Sequence, residues 1–187
     1  MLFTQRPVLQ HPQAVLRQLR EADLPHWLAA LRSPAVFEHT SWNLPAEDAD
    51  ALERLAVYVW DEARFTSSSL LRFVIADRDT DRFLGTAGFH TVQPDNRSAE
   101  LAYDLCPEAW GRGLASAATR SLTDWAHTHV GLVRVQATVM DSNARSLQVL
   151  TRCGFEREGL LRSYRQVRGV ARDFWMHSHV SDTATQD

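Results

Sequence analysis

Ten residues near the middle of the chain, Pro107 to Ser116 (PEAWGRGLAS), place two glycines directly before an apolar run of helical spacing. The first N–H groups of a helix have no internal partner and lie at the positive end of its dipole, so such a start receives anions. Gly111 and Gly113 remove the Cβ atoms that would hold a phosphate off that backbone. The stretch therefore reads as a pyrophosphate cradle, with a plain tight turn as the ordinary alternative. It is not a triphosphate-binding loop, because the Gly-Lys-Ser/Thr ending is missing. Nor is it the dinucleotide fingerprint, because Ser116 stands at the third glycine position.

Further residues extend the pattern. The strings Glu100 to Leu105 (ELAYDL), Pro107 to Ala115 and Asn143 to Phe155 (NARS, then VL, then CGF) together resemble the GNAT superfamily of acyl-CoA N-acyltransferases. The likeness runs over roughly residues 14 to 180 and is closest to the branch that acetylates ribosomal-protein N-termini and related amines. It implies acetyl-CoA as cosubstrate, no metal, and direct transfer of acetyl to a primary amine in a ternary complex. A protein N-terminus is the first choice of acceptor. A small amine, amino acid or antibiotic is the second, and a non-catalytic acyl-CoA sensor is the competing class.

The same resemblance assigns roles residue by residue. Trp110, Gly111, Arg112, Gly113, Leu114, Ala115 and Ser116 would hold the pyrophosphate of coenzyme A, although Glu108 stands where the family has Gln or Arg. Arg112 is equally a solvated turn residue, and Ser116 equally a helix cap. Leu105 and Cys106 match the strand end whose backbone pairs with the pantetheine arm. Cys106 as a covalent acyl acceptor competes with Cys106 as a small residue in a tight spot. Asn143 matches an asparagine that contacts pantetheine, and Ser146 a serine near the sulfur. Leu150 occupies the place of a tyrosine that in many relatives protonates the leaving thiolate. Glu100 is the candidate general base, against a strand glutamate that faces solvent or pairs with an arginine such as Arg97. Asp104 shares its face and is the weaker candidate at the acceptor end. Trp42 is placed at the acceptor pocket or in the core.

Periodicity supplies elements to hold these groups. A strand is expected over Ala14 to Arg20, and a helix over Leu24 to Leu31 with Asp23 as its N-cap. An amphipathic helix is expected over Ala46 to Arg64. Strands follow at Leu70 to Ala76, Phe83 to Val92 and Ala99 to Leu105. A helix over Leu114 to His129 stops at Gly131, and a strand runs from Val133 to Val139. A further helix, capped by Asp141 or Ser142, ends at Gly154, and two strands flank Arg168-Gly169. The expected class is α/β (α+β). It is one domain over residues 14–180, between an arm (1–13) and a mobile tail (181–187). The resemblance implies that these elements form a mixed, mostly antiparallel twisted sheet of about seven strands flanked by helices. The resemblance adds that acyl-CoA enters a cleft between two splayed central strands.

Composition narrows the classes further. The net charge of −3 gives no basic field for nucleic acid. All 20 basic side chains are arginine, which excludes a lysine Schiff base and acetylation of the chain's own lysines. No run approaches membrane-spanning length, the first residues lack a signal-peptide core, and two cysteines imply no disulfide framework. A cytoplasmic monomer or homodimer is expected. His177 and His179 share a strand face, but no third metal ligand accompanies them, so exposed structural histidines are expected.

Overall fold

The computed structural model describes residues 6–41, 50, 53–54, 56–59 and 70–181. Trp42 and most of the helix expected over Ala46 to Arg64 lie outside them; residues 53–54 and 56–59 are helical. The chain forms β1 (Ala14–Gln18), α1 (Leu24–Arg32), a short α2 (Pro34–Phe37), β2 (Leu70–Asp77), β3 (Phe83–Gln93) and β4 (Ser98–Leu105). It continues with α3 (Leu114–Trp125), β5 (Arg134–Met140), α4 (Ala144–Arg152), β6 (Glu156–Val167) and β7 (Val170–Val180). The seven strands make one sheet in the order β1-β2-β3-β4-β5-β7-β6.

All neighbours are antiparallel except β4 and β5, which run parallel. That exception makes the site. β4 and β5 pair only over Ser98–Glu100 against Arg134–Gln136. Beyond Glu100, β4 follows β3 as far as the Gly85–Leu105 pair, while β5 follows β7 as far as the Met140–Phe174 pair. The two strands part, and the sheet splits at its centre. Residues alternate sides along a strand, and the Cys106 N–H bonds Leu84 on the β3 side. The backbone groups of Leu101, Tyr103 and Leu105 therefore face the split.

The apolar face of α3 closes one side of the sheet. Leu114, Ala118, Leu122 and Trp125 are buried there, and the Trp125 ring stacks on Phe89 and meets Phe73 edge-on. Each large side chain buried this way contributes on the order of 2–3 kcal/mol. Trp27 of α1 is wholly buried on the other layer, and its indole N–H donates to Asp104 at 2.7 Å.

Four local expectations are corrected. Asp23 lies in a 3-10 turn with helical backbone angles and does not cap α1. Its carboxylate instead accepts from the Arg20 N–H and the Arg17 guanidinium. The helix expected to run to His129 does continue to Val130 and stops at a left-handed Gly131, but its last turn, Ala126–Val130, widens from α to π. The cap of α4 is Asn143, not Asp141 or Ser142, with its side-chain oxygen accepting the Ser146 N–H at 3.2 Å. His177 is buried, not exposed, and His179 packs its ring against His127, with Nδ1 3.1 Å from Nε2. No helix among the described residues is long and apolar enough to cross a membrane.

Candidate acyl-CoA cleft

The split between β4 and β5 opens into a cavity of about 920 Å³ that runs from the α3 start to the layer under α1 and α2. Gly111, Gly113, Leu114, Ala115 and Ser116 line one end. Gly113 occupies the N-cap position of α3 with φ +77°, and Gly111 has φ +74°. A Cβ built on either would meet no atom within 4 Å. The chain itself does not fill that space, so backbone N–H groups can approach an anion closely there. A pyrophosphate fits this chemistry, and the pantetheine arm of a coenzyme A fits the open edge of β4 beyond it.

Around the cradle the side chains divide. Trp110 packs over the strand end, with its indole N–H donating to the Leu105 carbonyl at 3.0 Å and the Arg145 guanidinium 4.3 Å from its ring centroid. Arg112 is turned away from the cavity, towards Gln13 (3.2 Å) and Asp77 (3.9 Å). Ser116 is inside α3 and Gly113 takes the cap position, so Ser116 does not cap the helix. Cys106 is buried beside β3 and does not line the cavity. Burial first, then the charges of Glu108 and Asp104, push its thiol up to about 12, far from the nucleophilic range. The N–H facing the split at the strand end is that of Leu105 and not of Cys106.

Asn143, Ser146 and Leu150 come from the first two turns of α4, and all three line the cavity. Positions 146 and 150 lie one above the other on a helix face. Opposite them on β4 stands Tyr103, which residue types alone did not single out. Its phenol donates to the Ser146 carbonyl at 3.4 Å, and burial pushes it up to about 12.

At the far end, two carboxylates among the described residues face the cavity and each is engaged. Glu100 is buried where β4 and β5 part; it accepts from the Thr138 hydroxyl at 2.5 Å and from Arg165 at 3.1 Å. Its partner is thus Arg165 from β6 and not Arg97, which donates to the Gly131 carbonyl. Asp104 accepts from Trp27, from the Thr86 hydroxyl at 2.8 Å and from Arg72, a set of donors that anchors three elements. Glu100 and Asp104 do share the cavity, as the alternation expects.

His90 was also missed. The β3–β4 register sets it directly across from Glu100, with Nε2 3.8 Å from the carboxylate. Burial, with Arg72 and Arg165 nearby, holds its pKa below the usual imidazole value despite Glu100, so it is neutral at pH 7. The signal was present in the sequence only as a short turn that fixes this pairing.

The β6–β7 hairpin covers this end. Arg168 at its tip donates to the carbonyls of Phe37 and Glu38 and lies 4.5 Å from the Phe37 ring centroid. Val36, Thr40, Ser41, Leu70, Phe89 and Phe174 complete a largely apolar wall. Among the described residues no cluster of three metal-ligating side chains occurs.

A split mixed sheet with a glycine-lined helix start at one side and a buried carboxylate at the fork has room and chemistry for an acyl-CoA. The comparisons agree. The acetyltransferase (GNAT) domain model matches residues 13–156, and the chain belongs to that family: it is an N-acetyltransferase with acetyl-CoA as cosubstrate. The uncharacterized N-acetyltransferase p20 of Bacillus licheniformis is 39% identical over 57% of this chain and 60% of its own length. YoaA of Bacillus subtilis is 28% identical over 93% of this chain and 97% of its own length. Mycobacterium smegmatis RimJ in complex with CoA-disulfide superimposes with a TM-score of 0.77 at 27% identity, covering 93% of this chain and 85% of that one. The fold is shared too by a spermidine N-acetyltransferase of Vibrio cholerae solved with CoA and spermine, with a TM-score of 0.75 at 23% identity over 90% and 95% of the two chains.

Proposed function

We propose that the acceptor is the α-amine of a polypeptide N-terminus, of the ribosomal-protein type, rather than a polyamine. The charge state of the acceptor end carries this reading. A polycation needs uncompensated carboxylates along its length. Among the described residues, the two carboxylates at the acceptor end are matched by two guanidiniums, Glu100 by Arg165 and Asp104 by Arg72, and His90 is neutral. Apart from the imidazole of His39, the rest of the described wall is apolar or hydroxylic, which suits one amine followed by a neutral, extended chain.

In this reading Gly111, Gly113 and the first N–H groups of α3 hold the pyrophosphate, and the open β4 edge and Asn143 hold the pantetheine arm. Ser146 faces the reacting end. The Leu105 N–H, beside the cradle, is a donor for the pantetheine arm, and the Leu101 N–H, facing the split next to Glu100, is the donor for the thioester oxygen, where one fixed hydrogen bond is worth roughly 10²–10³ in rate. Glu100 takes the proton of the attacking amine, and Thr138 and Arg165 keep its carboxylate oriented. The neutral imidazole of His90 offers the next acceptor outward. Asp104 positions α1 and β3 around the pocket, and Trp42 is retained as an acceptor contact.

The test is a competition. Peptides starting with Ala or Ser and spermidine are offered together with acetyl-CoA, and products are read by mass. The expected product is the α-acetylated peptide, with kcat/KM at least about tenfold above spermidine, a difference of about 1.4 kcal/mol. Preferential acetylation of spermidine overturns the reading.

A further inference from the structure

We propose that Tyr103 is the acid that protonates the departing thiolate of coenzyme A, acting from β4 across the cleft from α4. The proposal rests on acetyl transfer at this site and not on which amine accepts.

Cleavage of the thioester leaves an electron pair on sulfur between partly apolar walls, where an unprotonated thiolate is less well solvated than in water. A proton donor is therefore needed beside the α4 start. On α4, the positions facing the split offer the amide of Asn143, the hydroxyl of Ser146 and, one turn on, the wholly buried hydrocarbon of Leu150. An amide and an aliphatic alcohol are too weakly acidic to give up a proton. Cys106 does not line the cavity. Tyr103 is the one phenol among the described lining residues. Its hydroxyl reaches the same turn of α4, where it donates to the Ser146 carbonyl at 3.4 Å. That is at the long limit of a hydrogen bond, so little is lost when the O–H swings to a better acceptor. A thiolate at the split, against Ser146 and Leu150, is such an acceptor.

Burial pushes the phenol up to about 12, so it holds its proton at pH 7 until a thiolate forms beside it.

The step balances. The amine nitrogen bonds to the carbonyl carbon and its proton goes to Glu100. The C–S bond breaks with its electron pair on sulfur. The Tyr103 O–H proton moves to sulfur to give the free thiol. The phenolate recovers a proton from Glu100 through solvent once the thiol leaves.

The test uses Tyr103→Phe, which keeps the ring in place and removes one oxygen, with two donors: acetyl-CoA and its selenoester analogue. A selenol is far more acidic than a thiol, so a selenolate departs without a proton. The expected result with acetyl-CoA is a loss of about 10²-fold in kcat. With the selenoester, kcat should stay within about threefold of the wild type, with affinity for coenzyme A and melting temperature unchanged. A variant within threefold of the wild type on acetyl-CoA overturns the proposal. So does an equal loss with both donors, which is what a merely structural role produces. A wild type that releases no thiol with any amine offered shows failure of acetyl transfer itself before any variant is compared, and so is distinct from failure of the Tyr103 role.

Discussion

Replacing Gly113 by Ala separates what the cradle does for binding from what it does for folding. The added Cβ meets no protein atom within 4 Å, so the fold's only cost is the left-handed backbone at φ +77°. That costs about 1–2 kcal/mol for an L-residue. For a chain of 187 residues the melting temperature then falls by about 2–8 °C, and the protein stays folded at 25 °C. The same methyl occupies the space over which a phosphate oxygen must approach the first amides of α3. Losing two hydrogen bonds to a charged group, at about 1.5–3 kcal/mol each, weakens coenzyme A by about 3–6 kcal/mol, or roughly 10²–10⁴-fold. Calorimetric titration with coenzyme A reads the loss, and scanning calorimetry reads the stability. S-acetylpantetheine, which has no pyrophosphate, serves as the control: its turnover should change less than about threefold. Coenzyme A affinity within threefold of the wild type would refute the cradle, as would equal losses with both donors.

Three further outcomes follow from the geometry. Glu100→Gln keeps acceptors for Thr138 and Arg165 but cannot take a proton. kcat should fall by about 10²–10⁴-fold while coenzyme A affinity holds, and unchanged steady-state kinetics would remove Glu100 from the mechanism. Gly88→Ala would drive a Cβ to 1.9 Å from the Leu71 carbonyl oxygen and force β2 and β3 apart. It should cost about 3 kcal/mol, read as a fall of about 6–12 °C in thermal unfolding. Glu158 is held at about 2, against an ordinary 4.5, first by its paired hydrogen bonds from Arg134 and then by Ser178. A depressed carboxylate stabilises the fold above its unfolded pKa, and that contribution is lost as pH falls from about 4.5 to about 2. Its side chain is 41% exposed, so solvent screening leaves about 1 kcal/mol. The melting gap between wild type and Glu158→Gln should be about 2–4 °C at pH 7 and close below about pH 3.

Local chemistry made the glycine turn and the helix start legible. Two glycines before an apolar helical run need no distant partner to define an anion site, and the structure gives both a positive φ. The strand alternation that put Glu100 and Asp104 on one face holds for the same reason. What the sequence left open depended on long-range pairing. Arg165 reaches Glu100 from 65 residues away, and nothing near Glu100 marks it out. His90 became a neighbour of Glu100 only through the register of β3 on β4. Tyr103 meets Ser146 only through the packing of α4 against β4, 43 residues further along the chain. The Asn143 cap shows a nearer limit: Asp141, Ser142 and Asn143 are all good caps by type, and the backbone path out of β5 selects the last.

The most direct test of the account is a calorimetric titration of the protein with acetyl-CoA, followed in the same cell by a peptide with a free Ala N-terminus. The account requires saturable binding of one acetyl-CoA per chain, then heat and free thiol in proportion to peptide added. Absence of acetyl-CoA binding would contradict the cleft. Binding followed by no thiol release with that peptide, but release with spermidine, would contradict the acceptor.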